Sequence, residues 1–199
     1  MFIQVIQGHV ADRDELRAAF DRWQRELAPE STGWLGSTAG VAADDTFIAL
    51  ERFESAEAAR HNSDRPEQHQ WWMETAKLFA GDVAFHDSRE VVPVLQGGSD
   101  RAGYVQVTQG RTSDRERMVA LLNHSAAEMA ELHPEIIGGT VALYGEGEFT
   151  QAIYFTSHAE ARRGEQREEF QERFAEQAAP LMIEIRRYDL IEPWLYSTT

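Results

Sequence analysis

Apolar and polar residues alternate from Phe2 to Gln7, which puts successive side chains on opposite faces, and Gly8 ends the run; a first strand is expected there. The period then changes. Leu16, Ala19, Phe20, Trp23 and Leu27 fall on one stripe at helical spacing, behind a capping box of Asp12 and Glu15. Trp34 to Val41 and Phe47 to Phe53 return to strand character around the turn-forming Ala43-Asp44-Asp45, predicting a hairpin. A short helical turn at Ser55 to Arg60 follows. A second long helix is expected to about Phe79, with Asp64 as cap, Pro66 in its first turn and Glu67 completing the box. Asp82 to Asp87 reads as the closing strand. The order β-α-β-β-α-β is the ferredoxin-like plan, in the α+β class.

The same pattern then repeats. Gln4, Val5, Gln7, Gly8, Asp12 and Arg13 recur as Gln106, Val107, Gln109, Gly110, Asp114 and Arg115, at a constant offset of 102 residues. The offset continues without a gap through Gly138, Thr140, Phe149, Phe155, Ser157, Arg162, Glu169, Glu176 and Asp189. Roughly twenty identities over about ninety positions mark a tandem duplication. In the second copy Ser113 with Glu116 reads as the capping box, Met118, Leu121, Leu122 and Met129 form the first helical stripe, and Phe170, Phe174, Ala178 and Leu181 the second, matching Gln68, Trp72, Ala76 and Phe79. Residues 1–96 and 104–199 are the expected repeats, and the Gly-rich 97–103 the linker. Each ends in an extended apolar tail, VVPVL or IEPWLY. A sheet with helices on one face leaves the other bare, and two joined copies can cover each other's bare face.

The composition narrows the chemistry. With no cysteine, thiolate metal sites, disulfides and Cys nucleophiles are excluded. The seven histidines show no ligand spacing, so no metal is expected. Thirty-four acidic against nineteen basic residues give a formal charge of −15, which disfavours nucleic acid and anionic membrane as partners. No run approaches a membrane span and no leader pattern opens the chain, so a cytoplasmic protein is expected. GxSxG, phosphate-loop and dinucleotide glycine patterns are missing from the sequence.

The stretches FIQVIQGHV, FIALERFESAEAARHNSDRPEQHQWW and VAFHDS resemble the antibiotic biosynthesis monooxygenase-like family of the dimeric α+β barrel superfamily, once per half. The resemblance implies two tandem ferredoxin-like repeats closed into an intramolecular barrel, as a monomeric pseudo-dimer or a homodimer. It also implies a cofactor-independent monooxygenase, an oxidoreductase acting on an aromatic or polyketide-like small molecule in the barrel lumen. The superfamily holds diverse activities. A non-catalytic small-molecule-binding barrel and an assembly module, with Trp71 and the terminal PWLY facing a partner, remain alternatives.

Phe2, Gln4 and Ile6 share one face of the first strand, with Tyr104, Gln106 and Thr108 in the second copy; because this face carries a matched glutamine in both halves and turns more polar in the second, it is assigned to the lumen rather than to the helix layer. Haem-degrading superfamily members are similar in having a lumen-facing amide where Gln4 stands, which suits it to orient a ligand carbonyl or phenol; a buried glutamine satisfied by a protein partner is the alternative. Trp72, opposite Phe174, is expected in the core, and Trp71, opposite Arg173, at a pocket rim or an interface. The haem-degrading relatives have an axial histidine where Trp72 stands, so no haem is expected; His69 lies nearby. His86 and Arg52, matched by Tyr188 and Tyr154, suit a base and its anion partner, or a solvent-facing strand. The expected catalytic residues are His86 and Arg52; the expected substrate contacts are Gln4, Trp34, Trp71, Trp72, Tyr104 and Gln106. No cofactor is expected. Trp34, Trp71 and His86 become Ile136, Arg173 and Tyr188, which favours the first half as the working one.

Overall fold

In a computed structural model, residues 1–167 and 172–197 are described, with the backbone alone at 125–128, 174 and 175. The chain divides into two compact units, Met1–Arg89 with Trp194–Thr199, and Glu90–Pro193. Each has an antiparallel five-stranded sheet.

The first unit contains β1 (Phe2–His9), α1 (Arg13–Glu26), β2 (Trp34–Val41), β3 (Thr46–Phe53), α2 (Ala56–Ser63), α3 (Pro66–Thr75) and β4 (Ala84–Ser88). The second contains β5 (Glu90–Val94), β6 (Tyr104–Thr112), α4 (Arg115–Leu132), β7 (Ile136–Tyr144), β8 (Glu148–Phe155), α5 (His158–Glu165) and β9 (Met182–Leu190). β10 (Trp194–Ser197) returns to the first unit. The sheet orders are β10-β2-β3-β1-β4 and β5-β7-β8-β6-β9. The tails are therefore exchanged: VVPVL of the first repeat pairs with β7, and WLYS of the second pairs with β2. No described helix is long and apolar enough to cross a membrane.

Local chemistry fixes the helix ends. Asp12 caps α1 by accepting from the Glu15 amide at 2.9 Å. In the second copy the cap is Asp114, which accepts from the Arg117 amide at 3.0 Å, and not Ser113, whose hydroxyl donates to the Pro180 carbonyl. Likewise Asp64 closes α2, and α3 begins at Pro66 with Arg65 as its uncapped N-terminal neighbour. Proline at the first position needs no amide partner there, which is why the helix starts at that residue.

The first core lies between helices and sheet. Phe2, Ile6, Leu16, Phe20, Trp23, Trp34, Phe47, Phe53, Trp71, Phe79 and Trp194 form one buried cluster. Its rings meet at 5.0 to 6.3 Å in tilted and edge-on pairs such as Trp23–Trp34, Phe20–Phe47, Phe47–Trp194 and Trp23–Trp71. This corrects the assignment of faces. Phe2, Gln4 and Ile6 look toward the helices, because Phe2 and Ile6 are the apolar anchors under α1 and carry Gln4 with them. The two tryptophans also exchange roles: Trp71 is buried, its Nε1 donating to the Ala19 carbonyl at 3.0 Å, while Trp72 is only half-buried. Trp71 and Trp194, which the assembly-module alternative would turn toward a partner, are both part of this core. In the second unit Leu181 is buried with Met118, Phe149 and Leu143; of the expected second stripe, Phe170 and the Phe174 side chain lie outside the described residues.

Candidate functional site

Strand register builds the floor of the site row by row. Gln4 of β1 stands between Asp87 of β4 and Glu51 of β3; Glu51 pairs with Ser37 of β2, and Ser37 with Tyr196 of β10. The row Asp87–Gln4–Glu51–Ser37–Tyr196 thus crosses all five strands on the helix face. On one side lies the row Phe2–Phe53–Trp34, on the other Phe85–Ile6–Ala49–Ala39–Trp194. A single polar band runs between two apolar ones.

Above this band is a cavity of about 280 Å³. Gln4, Ser37, Glu51 and Tyr196 supply its floor, while Phe20, Trp23, Gln68, His69, Trp71 and Trp72 line it from α1 and α3. Phe85 reaches it from β4, its ring 5.1 Å from that of Trp72. The size and the mostly apolar lining are those of a small-molecule site, and the roof suits a flat ring.

Glu51 is the centre of the polar band. Ser37 donates from Oγ to Glu51 Oε1 at 2.6 Å, and Trp34 from Nε1 to Oε2 at 3.1 Å. Burial pushes its carboxyl above the ordinary carboxylate range, more strongly than these two hydrogen bonds and the nearby Arg52 charge hold it down. Gln4 spends one amide N–H on Asp87 Oδ1, at 2.9 Å. Tyr196 donates to Asp21 Oδ1 at 2.6 Å, and burial together with that carboxylate raises its phenol well above the usual value, so it remains neutral. Trp23 Nε1 donates to Gln68 Oε1 at 2.5 Å, holding the roof in place. No lysine or arginine lines this cavity among the described residues. A carboxyl with a raised pKa, an amide and a neutral phenol under aromatic rings form a proton-accepting, weakly polar site.

The expected site residues are only partly brought together. Gln4, Trp71 and Trp72 line the cavity, and Trp34 supports it through Glu51. Arg52 and His86 do not. Arg52 pairs with Ile3, and His86 with Val5, so both point to the sheet face opposite the cavity; Arg52 Nη1 donates to Thr38 Oγ1 at 2.9 Å. In the second unit Gln106 and Tyr104 belong to a network. Tyr104 donates to Asp189 Oδ1, Arg162 Nη2 reaches Asp189 Oδ2 at 2.5 Å and its Nη1 reaches Glu165 Oε2 at 2.7 Å, and Gln106 donates to Glu165 Oε1 at 2.9 Å. Burial and the Asp189 carboxylate raise the Tyr104 phenol far above its ordinary value. Among the described residues no group of three or more His, Asp or Glu is placed to hold a metal.

Sequence reasoning missed Glu51, Ser37 and Tyr196. The signal for Glu51 was present: in FIALERF, alternation places it with Phe47, Ala49 and Phe53, a charged residue on an apolar face. Nothing in the sequence could pair Tyr196 with Ser37, since the exchange of tails is a property of the assembled sheets.

No protein-family model matches the sequence, and no curated protein matches it significantly. Solved structures do match. A protein from Lactobacillus acidophilus NCFM named "putative monooxygenase" superposes with a TM-score of 0.73 at 11% identity, over 98% of each chain. A second of that name, from Fusobacterium nucleatum subsp. nucleatum ATCC 25586, gives 0.78 at 9% identity, over 99% of this chain and 94% of its own. An anthrone oxidase-like protein gives 0.64 at 9% identity, over all of this chain and 91% of its own. At such identities the likeness is one of fold. The chain has the fold of these monooxygenase-like proteins along its whole length, as the resemblance to antibiotic biosynthesis monooxygenase-like proteins implies.

Proposed function

We propose that this chain is a cofactor-independent monooxygenase-like enzyme that oxidises an aromatic, polyketide-like small molecule in the cavity of its first unit. The observation that carries the reading is Glu51, a buried carboxyl at the floor of an aromatic cavity whose equivalent in the second repeat is Ile153. Burial raises its pKa, which makes its carboxylate a stronger proton acceptor than an ordinary one. In the proposed reaction Glu51 takes a proton from a phenol or from the acidic CH2 of its keto tautomer. The anion passes one electron to dioxygen, and the two radicals combine at that carbon to give a hydroperoxide. Loss of water leaves a quinone carbonyl: one oxygen atom enters the product and the other leaves as water. Gln4 would orient the substrate oxygen, and Trp71, Trp72 and Phe85 would hold the rings. The names of the matched structures support this chemistry by analogy of fold.

In the same reading the two halves are tandem ferredoxin-like repeats whose helix-free sheet faces close on each other as a barrel within one chain. The constant 102-residue offset between the halves and the full-length likeness of fold to monooxygenase-like proteins support it. Arg52 and His86 would then face that lumen, apart from the reacting cavity.

Oxygen uptake on a panel of polycyclic phenols and anthrones tests the reaction. Glu51→Gln should lower kcat by about a hundredfold or more with KM little changed, and Glu51→Asp should keep part of it. Uptake unaffected by Glu51→Gln would remove the proposed base. Saturable binding of these compounds without oxygen uptake would leave the non-catalytic binding reading in its place.

A further inference from the structure

The register of the second sheet sets Thr108 of β6 beside Gln151 of β8, at the places that Ile6 and Ala49 hold in the first unit. Two neighbouring core positions have thus become polar. Thr108 is only 6% exposed, and among the described residues neither its hydroxyl nor the Gln151 amide makes a hydrogen bond within the protein. Both line a cavity of about 560 Å³ between the sheet and α4. Trading an apolar anchor for a hydroxyl that the protein leaves unpaired costs stability, so a buried group of this kind calls for another partner.

The rest of the lining limits what that partner can be. Met118, Leu121, Leu122, Met129, Ile153 and Leu181 make the interior aliphatic, with Ile153 at the position of Glu51. Every charged side chain around the cavity is engaged within the protein. Glu135 lies 3.0 Å from His133 Nδ1 and 3.3 Å from Arg167, Glu165 lies 2.7 Å from Arg162, and Arg173 and Arg187 have interactions of their own. Gln106, also on the floor, spends its amide N–H groups on Glu165 and Tyr104.

We infer that the second unit carries a separate binding site for a neutral aliphatic alcohol, its hydroxyl held between Thr108 and Gln151 and its chain among the methionines and leucines. The threonine hydroxyl and the glutamine amide each donate and accept, and so does an alcohol, so one such group satisfies both side chains. A carboxylate can only accept and an ammonium can only donate. Thioether side chains adapt to an irregular aliphatic shape. The site is independent of the reaction proposed for the first unit.

Calorimetric titration of the full chain with 1-octanol, octanoate and octylamine tests it. Octanol should bind at one site per chain, about tenfold or more tighter than either ion. Thr108→Val keeps the branched shape and removes the hydroxyl, while Gln151→Met keeps the length and removes the amide. Each should weaken octanol by about tenfold. The unliganded Thr108→Val protein should melt no lower than the parent, because the hydroxyl it loses has no partner in the protein. Trp72→Ala in the first cavity should leave octanol binding unchanged. No binding, octanoate or octylamine binding as tightly as octanol, octanol affinity unmoved by either variant, a Thr108→Val protein that melts lower and binds as before, or loss of octanol on Trp72→Ala would each overturn the inference.

Discussion

Glu51 is held where burial works against its charge. Its carboxyl titrates above its ordinary value of 4.5 in the folded protein, so between these two pKa values the folded state binds the proton that the unfolded chain has released. Stability therefore falls as pH rises through that window. Glu51→Gln removes the titration, and the variant should gain melting temperature over the parent at neutral pH, with the gain shrinking as pH falls toward 4.5. Thermal melts of both proteins across the window check this; a difference that does not move with pH would mean an ordinary carboxyl. The same residue shows what could be read beforehand. Alternation in β3 marks Glu51 as the anomaly on a core face, yet attention to residue type selects Arg52 beside it, one position away and on the other face of the sheet. The apolar positions of β1 are legible; which face takes the helices is not, because both faces of this strand are buried.

At the level of elements, strand and helix order is legible in the first unit and strand order in the second, while the second long helix expected there falls partly outside the described residues; the errors fall at helix entries. Asp114 displaces Ser113 as cap, and the Pro66 start of α3 turns Trp71 rather than Trp72 toward α1. One helical position, about 100°, is enough to exchange a core residue for a cavity wall. The element with the largest unforeseen role is β10. Its Trp194 lies 5.9 Å from the rings of both Phe20 and Phe47, with the Arg17 guanidinium 6.0 Å above it, and Tyr196 two residues on reaches the cavity floor. Trp194→Ala should cost about 3 to 5 kcal/mol in urea unfolding of the full chain. The loss should fall on the first unit, since Val92 fills the equivalent place in the second. A cost under about 1 kcal/mol would show that β10 adds hydrogen bonds but not core.

For the molecule as a whole, the duplication is legible from the constant offset and the full-length fold follows from it. The exchange of tails is not, because repeat boundaries in sequence and compact units in space need not coincide. Residues 1–96 carry the first four strands but lack the fifth, which comes from 194–197, and carry β5 without β7. Expressed alone, that fragment should self-associate through its bare β2 edge and melt without cooperativity. Mixed with residues 97–199 it should recover one sharp transition, as followed by light scattering and calorimetry. A monomeric, cooperatively melting 1–96 would contradict this. The exchange also bears on how such a protein can change. In an assembly of two identical chains every substitution is made twice, and an acid placed in one cavity appears in the other. Here a gene holding both copies binds them together by their tails while letting each accumulate its own mutations, so that Glu51 could be kept on one side and Ile153 on the other.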